Sequence, residues 1–307
     1  MVQSSSRYFD APLCGAEYHR RRGFTLIELL VVVSIISLLL TIFTPVVVKV
    51  RRQAKKLKGM ANQRQIVSVA NLFALDNNGR YPPSVATIGI VNDWHWQEPT
   101  MLTGYGGDVS PRPRRSMSAY LREYIQDATV MFCPNAPVRY KYLRQAWAVG
   151  DEWDNPDTGC SPDPVKGVYC FYWNYKGYLV RDGGVFKGPQ RQCGGRGTSK
   201  LLVSCYFGYD HWRSRGCYGS CERMTRANST EGSDVSSAYW SLCSLDSQQT
   251  RDSLNLRLHA GYVDGHVEGY TPGEVVPMKV SITADGACPY PDDTGPGVFY
   301  LPRTGVH

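Results

Sequence analysis

The sequence lacks the short motifs that mark common enzyme classes. It contains no Gly-x-Ser-x-Gly nucleophile motif and no phosphate-binding P-loop. It also lacks a basic folded domain: the formal net charge is +7, but residues 81–307 carry 22 basic and 23 acidic residues. A nucleic-acid-binding protein concentrates its basic residues on a folded face. We therefore expect neither an enzyme nor a nucleic-acid partner.

The sequence also has a stretch of twenty residues, 29–48, that lacks charged side chains. From Leu29 to Val48 the chain has no charged residue, and Arg20, Arg21 and Arg22 precede this stretch. Twenty helical residues rise about 30 Å, which spans a bilayer core. No small-x-small cleavage site follows, which argues against a secretory signal peptide and leaves a plain signal anchor as one interpretation. Glu28 lies at the start of the stretch, where a carboxylate is costly and usually has a partner.

Residues 22–30 read Arg-Gly-Phe-Thr-Leu-Ile-Glu-Leu-Leu. This string resembles the class III signal of type IV prepilins and type II secretion pseudopilins. The resemblance implies that a prepilin peptidase cuts after Gly23 and methylates the new amine of Phe24. It also implies that Glu28, the fifth mature residue, pairs with the N-terminal amine of a neighbouring subunit during assembly. A buried carboxylate and a buried ammonium each recover part of their desolvation cost by meeting.

Pro45 would be the twenty-second mature residue, a position where many type IV pilins carry a helix-kinking proline. Proline removes a backbone hydrogen bond and clashes with the preceding turn. The alternative is that Pro45 ends the membrane helix near the interface, and the sequence leaves both open.

Two features depart from the family pattern. The leader of 23 residues is longer than many, and the basic residues between 49 and 58 follow the apolar stretch, against the positive-inside rule. Nine of the ten cysteines lie between Cys133 and Cys288, which suits an oxidising compartment and several disulfides. The cysteines and the prepilin string together predict that the C-terminal part lies outside the cytoplasm.

Beyond Pro45 a helical pattern continues to about Asp76, and Asn77, Asn78 and Gly79 followed by two prolines predict its end. Residues 49–80 hold eight basic residues against Asp76 alone. They form a basic stem, which we expect to contact lipid headgroups, neighbouring subunits or solvent.

The remaining residues predict a β-rich head. We expect a short helix in 117–126, long disulfide-tied loops at 90–115 and 181–200, and a hairpin over 262–267 with its turn at Asp264-Gly265. Further strands are expected at 168–175, with a turn at Lys176-Gly177, and at 178–180, 201–207 and 275–282. The expected fold is α+β: a long N-terminal transmembrane and stem helix packed on a mainly antiparallel sheet. Its parts are a leader (1–23), a transmembrane helix (24–48), a stem (49–80) and a head (81–307).

The segment around the predicted hairpin carries a second resemblance. A group of bacterial pilin-like proteins ends in His, nine residues, then Asp-Gly. Asp264, Gly265 and His266 match the end of that motif, whereas His259 stands only four residues before Asp264. No cofactor is expected, and whether a metal binds stays open. His266 and Glu268 share a strand face, and the resemblance to major pseudopilins implies calcium as a candidate for carboxylates in 151–163.

The expected function is a structural subunit of a type II secretion pseudopilus or a type IV pilus-like filament. Its partners would be a prepilin peptidase, related subunits and inner-membrane lipid. The chain would cross the inner membrane once, with its head in the periplasm or on an extracellular filament. Two alternatives remain: a pilin-anchored protein that binds glycan through Trp94, Trp96, Trp153 or Trp212, and a membrane-anchored protein that never polymerises. The second alternative gives Glu28 no use.

Overall fold

The computed structural model describes residues 24–90, 92–105, 109–134, 142–153, 164–180, 183–210, 216–219, 257–289 and 298–306. The chain forms two compact units, Met1–Val50 and Arg51–His307. The predicted division into leader, membrane segment, stem and head remains a prediction.

The described part of the first unit is almost entirely helical. Helix α1 begins here and spans Leu26–Asp76. Every large apolar side chain of residues 24–50 is exposed, from 42% at Val47 to 80% at Leu26. The serine and threonine hydroxyls donate to carbonyls three or four residues earlier, at 2.6 to 2.8 Å. The helix is long and apolar enough to cross a membrane, and these local hydrogen bonds satisfy its side-chain hydroxyls.

In the second unit, α1 ends at Asp76, where the sequence predicted it to end. Asn78 and Gly79 adopt φ values of 56° and 74°, and the Gly79 amide donates to the Ala74 carbonyl at 2.6 Å. Asparagine and glycine accept this left-handed conformation readily, so the chain leaves the helix here.

Among the residues that the structure describes, the second unit contains three antiparallel sheets and, besides the C-terminal part of α1, two short α-helices, α2 (Ser118–Leu121) and α3 (Leu143–Val149). Short 3₁₀ turns lie at Ala128–Met131, Gly150–Glu152 and Arg303–Gly305. The strands are β1 Thr87–Ile90, β2 Asp93–Trp96, β3 Tyr169–Phe171, β4 Lys176–Leu179, β5 Val185–Lys187, β6 Leu201–Cys205, β7 Phe207–Asp210, β8 Gly216–Gly219, β9 Leu258–Tyr262, β10 Val267–Tyr270, β11 Val275–Lys279 and β12 Val298–Pro302. β1 and β2 form a hairpin; the larger sheets have the orders β10-β9-β6-β3 and β5-β4-β11-β12-β7-β8.

The C-terminal half of α1 packs on the four-stranded sheet. Ile66, Val67 and Ala70 are fully buried, and the Gln63 side-chain amide donates to the His259 carbonyl of β9 at 3.3 Å. A Cβ on Gly261 of β9 would lie 2.8 Å from Val67 Cγ2, so glycine is what allows the helix to approach. The fold is therefore α+β, with the stem helix packed on an antiparallel sheet as predicted.

Some local predictions were wrong. Lys176 and Gly177 lie inside β4; the chain turns earlier, at Asn174, whose φ is 51° and whose side-chain amide donates to the Tyr81 and Pro82 carbonyls. The expected loops at 90–115 and 181–200 contain parts of the β1–β2 hairpin and all of β5.

The cysteines of the second unit occupy different environments. Cys205 is disulfide-bonded, Cys133 and Cys170 are buried in the core, and Cys193 is an exposed free thiol. The prediction of several disulfides that tie the loops of the head remains a prediction.

Candidate functional site: the N-terminal turn of the apolar helix

Thr25 and Glu28 close the first turn of α1 with reciprocal hydrogen bonds. The Thr25 amide and hydroxyl each donate to Glu28 Oε2 at 2.8 Å, and the Glu28 amide donates to Thr25 Oγ1 at 3.2 Å. This is a capping box, in which a threonine at the helix cap and a glutamate three residues later satisfy each other's backbone donors. The Thr-x-x-Glu spacing before an apolar run was a signal for it that our sequence analysis missed.

The capping box gives Glu28 a role within a single chain. The expectation that a simple membrane anchor has no use for Glu28 is therefore wrong. Only Oε2 takes part, however, and Oε1 accepts no hydrogen bond from any residue that the structure describes. One carboxylate oxygen thus remains available to a cation from outside the chain.

Two other residues of the prepilin string are placed differently. Phe24 precedes the helix and is 73% exposed. Gly23 lies outside the described residues.

Pro45 lies inside α1, and the helix continues for 31 residues beyond it to Asp76. The helix therefore does not end at Pro45, and where its membrane-spanning part ends stays a prediction. Proline has no amide hydrogen, so the Thr41 carbonyl loses its usual helical donor. That this weakens or kinks the helix at Pro45 stays a prediction.

The C-terminal motif residues fall in two environments. His259 lies in β9 and is 5% exposed, and its amide donates to Cys205 Sγ at 3.3 Å. Asp264 and Gly265 form the predicted turn, with Gly265 at φ 92°. His266 Nδ1 hydrogen-bonds Asp264 Oδ1, and its ring stacks on Tyr262 with centroids 4.4 Å apart. The motif residues are thus divided between an exposed turn and a buried strand position; that they act together stays a prediction.

Electrostatics separates the two environments further. Burial, followed by the charges of Arg257 and Lys56, lowers the pKa of His259 to about 4. At the turn, hydrogen bonds from Thr304 and Tyr262 lower the pKa of Glu268. Both hydroxyls donate to the same oxygen of Glu268, Oε1. No group of three or more metal-ligating side chains occurs among the described residues.

Of the four tryptophans considered for glycan binding, the three that the structure describes do not form an exposed platform. Trp96 and Trp153 are buried, at 2% and 8% exposure. Trp94 is half-buried between the Arg112 guanidinium, 3.9 Å from its ring, and Trp96, whose ring centroid is 4.5 Å away. Trp212 lies outside the described residues. The faces of the described tryptophans are largely covered by the chain itself.

The N-terminal turn is also where the chain is similar to known proteins. Residues 18–44 match the family described as "Prokaryotic N-terminal methylation motif". The type II secretion system core protein G of Pectobacterium carotovorum subsp. carotovorum is 32% identical over 81 residues, 26% of this chain and 51% of that protein. These matches support a prepilin-like or pseudopilin-like protein.

A second relative of this pseudopilin-like chain is the type II secretion system core protein G of Dickeya chrysanthemi. It is 29% identical over 109 residues, which are 35% of this chain and 63% of that protein. The chain thus spans about half of the length of the first relative and less than two thirds of the length of the second. No solved structure matches it. The apolar N-terminal helix and the pseudopilin relation together indicate that the protein is anchored in a membrane.

Proposed function

We propose that this pseudopilin-like protein is a structural subunit of a type II secretion pseudopilus or a type IV pilus-like filament. The observation that carries the proposal is the exposed apolar side chains of residues 24–50, which overlap the methylation motif of residues 18–44. Such a surface requires cover from lipid or from other apolar helices. A pilin-type life cycle supplies both in turn, first the bilayer and then the filament core.

Processing would expose the groups that assembly uses. Cleavage by a prepilin peptidase after Gly23 leaves the amine of Phe24 as the mature N-terminus, to be methylated. The unused Oε1 of Glu28 is the acceptor for the corresponding ammonium of a neighbouring subunit. In lipid, meeting this partner offsets part of the desolvation cost of both charges. The role is structural rather than catalytic.

The chain would cross the inner membrane once, with its C-terminal domain in the periplasm. The disulfide at Cys205 supports this orientation, since disulfides persist in oxidising compartments and are rare in the cytosol. The alternative of a membrane-anchored protein that never polymerises becomes an outcome of the tests below, and glycan binding stays a separate prediction.

Intact mass and N-terminal analysis of the protein from its native membrane test the processing step. We expect a chain that begins at N-methylated Phe24. Gly23→Leu should leave the leader attached, because the family's peptidase cuts after this glycine, whereas Gly15→Leu elsewhere in the leader should be processed normally. A wild-type chain that keeps residues 1–23 in the presence of active peptidase would show that the proposed pilin-type function is wrong.

A pair of substitutions separates capping from intersubunit pairing. Glu28→Gln keeps a carbonyl oxygen for the cap but removes the charge, whereas Thr25→Ala removes the cap and keeps the charge. If pairing drives assembly, electron microscopy should show filaments with Thr25→Ala and none with Glu28→Gln. Thr25→Ala should only fray the first turn, at about 1 kcal/mol. If both variants form filaments equally well, the Glu28 carboxylate caps its own helix and is not needed for pairing between subunits.

A further inference from the structure

The segment of α1 that opens the second unit is strongly basic. Residues 51–58 contain five basic residues and no acidic one. Four of the five are exposed and Lys56 is half-buried. We call residues 51–58 the basic segment; its charged members are Arg51, Arg52, Lys55, Lys56 and Lys58. Within the described chain, Arg51, Arg52 and Lys55 form no ion pair.

The basic residues occupy one side of the helix. At 3.6 residues per turn, all five fall within an arc of about 160°. The opposite side carries Gln53, Ala54 and Leu57, and Leu57 is 65% exposed. The segment therefore has a cationic side and an uncharged side.

The cationic side is also the side of α1 that carries the head. Gly59, Asn62, Ile66 and Ala70 follow within the same arc, and all four are buried against the rest of the second unit. Electrostatic effects agree: hydrogen bonds from Thr129 are the main cause that lowers the pKa of Asp127 in the head, and the charge of Lys58 adds to it. The exposed leucines 57 and 75 lie on the other side of the helix. A neighbouring helix that packs on these leucines would leave the cationic side uncovered.

The position of the basic segment in the sequence indicates which partner its cationic side contacts. The uncharged stretch that ends at Val48 precedes Arg51 by only three residues. Basic residues directly after a membrane span lie within a Debye length of the headgroups, where anionic lipid attracts them. A second copy offers a poorer match, since residues 81–307 are nearly neutral. Two carboxylates of the head, Glu98 and Glu268, are already bonded within the chain.

We propose that the basic segment binds the phosphate groups of anionic phospholipids at the membrane surface where the apolar helix emerges. The proposal rests on membrane anchoring and not on filament assembly. The lipids would hold the stem with its head-bearing side toward the headgroups and its leucine side free for another helix.

Lipid selectivity of the full chain in bilayers measures this directly. Spin-labelled phosphatidylglycerol and phosphatidylcholine are compared in vesicles of phosphatidylcholine that contain the reconstituted protein, without peptidase or assembly proteins. The variant Arg51→Gln/Arg52→Gln/Lys55→Gln removes three exposed charges. The matched control Lys187→Gln/Arg196→Gln/Lys200→Gln removes three exposed charges from the head. Near-UV circular dichroism of the tryptophans, all of which lie between residues 94 and 240, reports whether the head remains folded.

We expect the preference for phosphatidylglycerol to fall about threefold in the stem variant at low salt, and to persist in the control. High salt should bring the wild type close to the stem variant, because screening acts on the same charges. Arg51→Lys/Arg52→Lys should keep the preference. An unchanged preference in the stem variant, or an equal loss in both triple variants, would overturn the proposal. Reduced cross-linking between copies at constant lipid preference would assign the surface to a second copy instead.

Discussion

Acidification from pH 7 to pH 5 is expected to destabilise the head through His259. This imidazole is 5% exposed, and burial together with Arg257 and Lys56 lowers its pKa to about 4, against 6.5 for an unburied histidine. Between these two values the unfolded chain binds a proton that the folded chain does not. The free energy of unfolding therefore falls as the pH drops below 6.5, and continues to fall until the folded histidine titrates near pH 4.

The size of the effect follows from the two pKa values. Between pH 7 and pH 5 the extra proton bound by the unfolded chain lowers the free energy of unfolding by about 2 kcal/mol. Most carboxylates are still ionised in this range. For a chain of this length that corresponds to a decrease of about 4–8 °C in Tm.

The assay is thermal unfolding of the full chain in detergent micelles, followed by tryptophan fluorescence at pH 7, 6 and 5. Because all seven tryptophans lie between residues 94 and 240, the signal reports on the head. His259→Gln should remove most of the pH dependence. His266→Gln, at the exposed hairpin turn, should retain it. An unchanged pH dependence in His259→Gln would show that His259 does not fold as a buried neutral imidazole.

Two further predictions concern packing and charge in the second unit. Gly261→Ala should destabilise the contact between helix and sheet by about 1–3 kcal/mol in urea denaturation, because its Cβ would lie 2.8 Å from a Val67 methyl; Gly195→Ala, with no contact under 3.5 Å, should be nearly neutral. Glu98→Gln should cost about 3 kcal/mol, because it leaves the Lys166 ammonium without its buried partner, and Lys166→Met in the same chain should recover much of this loss. A Gly261→Ala variant as stable as the wild type would contradict the first prediction. A Glu98→Gln/Lys166→Met variant no more stable than Glu98→Gln alone would contradict the second.

Features encoded by a few adjacent residues were predictable from the sequence. The end of α1 follows from Asn78 and Gly79, which tolerate positive φ, and the β9–β10 hairpin follows from the Asp264-Gly265 turn. The membrane-length helix follows from twenty consecutive uncharged residues. In each case the local conformational preference agrees with the tertiary structure, so local signals suffice.

Features that depend on distant partners could not be predicted. The aromatic run at 168–175 reads as one strand, but Asn174 breaks it because its side chain bonds the Tyr81 and Pro82 carbonyls, more than ninety residues earlier in the chain. Gly177 resembles a turn residue, yet it lies in β4 because Met278 fills the space where a Cβ would stand. Nothing near these residues in the sequence indicates either contact.

The capping box bears on what processing would change. Its three hydrogen bonds join Thr25 and Glu28 only, so cleavage between Gly23 and Phe24 would leave all of them in place. The precursor and the mature chain would then share the same first helical turn. What cleavage adds is an ammonium at the positive end of the helix dipole, which is unfavourable there by up to about 1 kcal/mol. Glu28 lies in that same turn with Oε1 unused, so a carboxylate already held by its own helix would be ready to receive a neighbour's ammonium. On this argument processing acts through charge, and amide exchange in the first turn should be similar before and after cleavage.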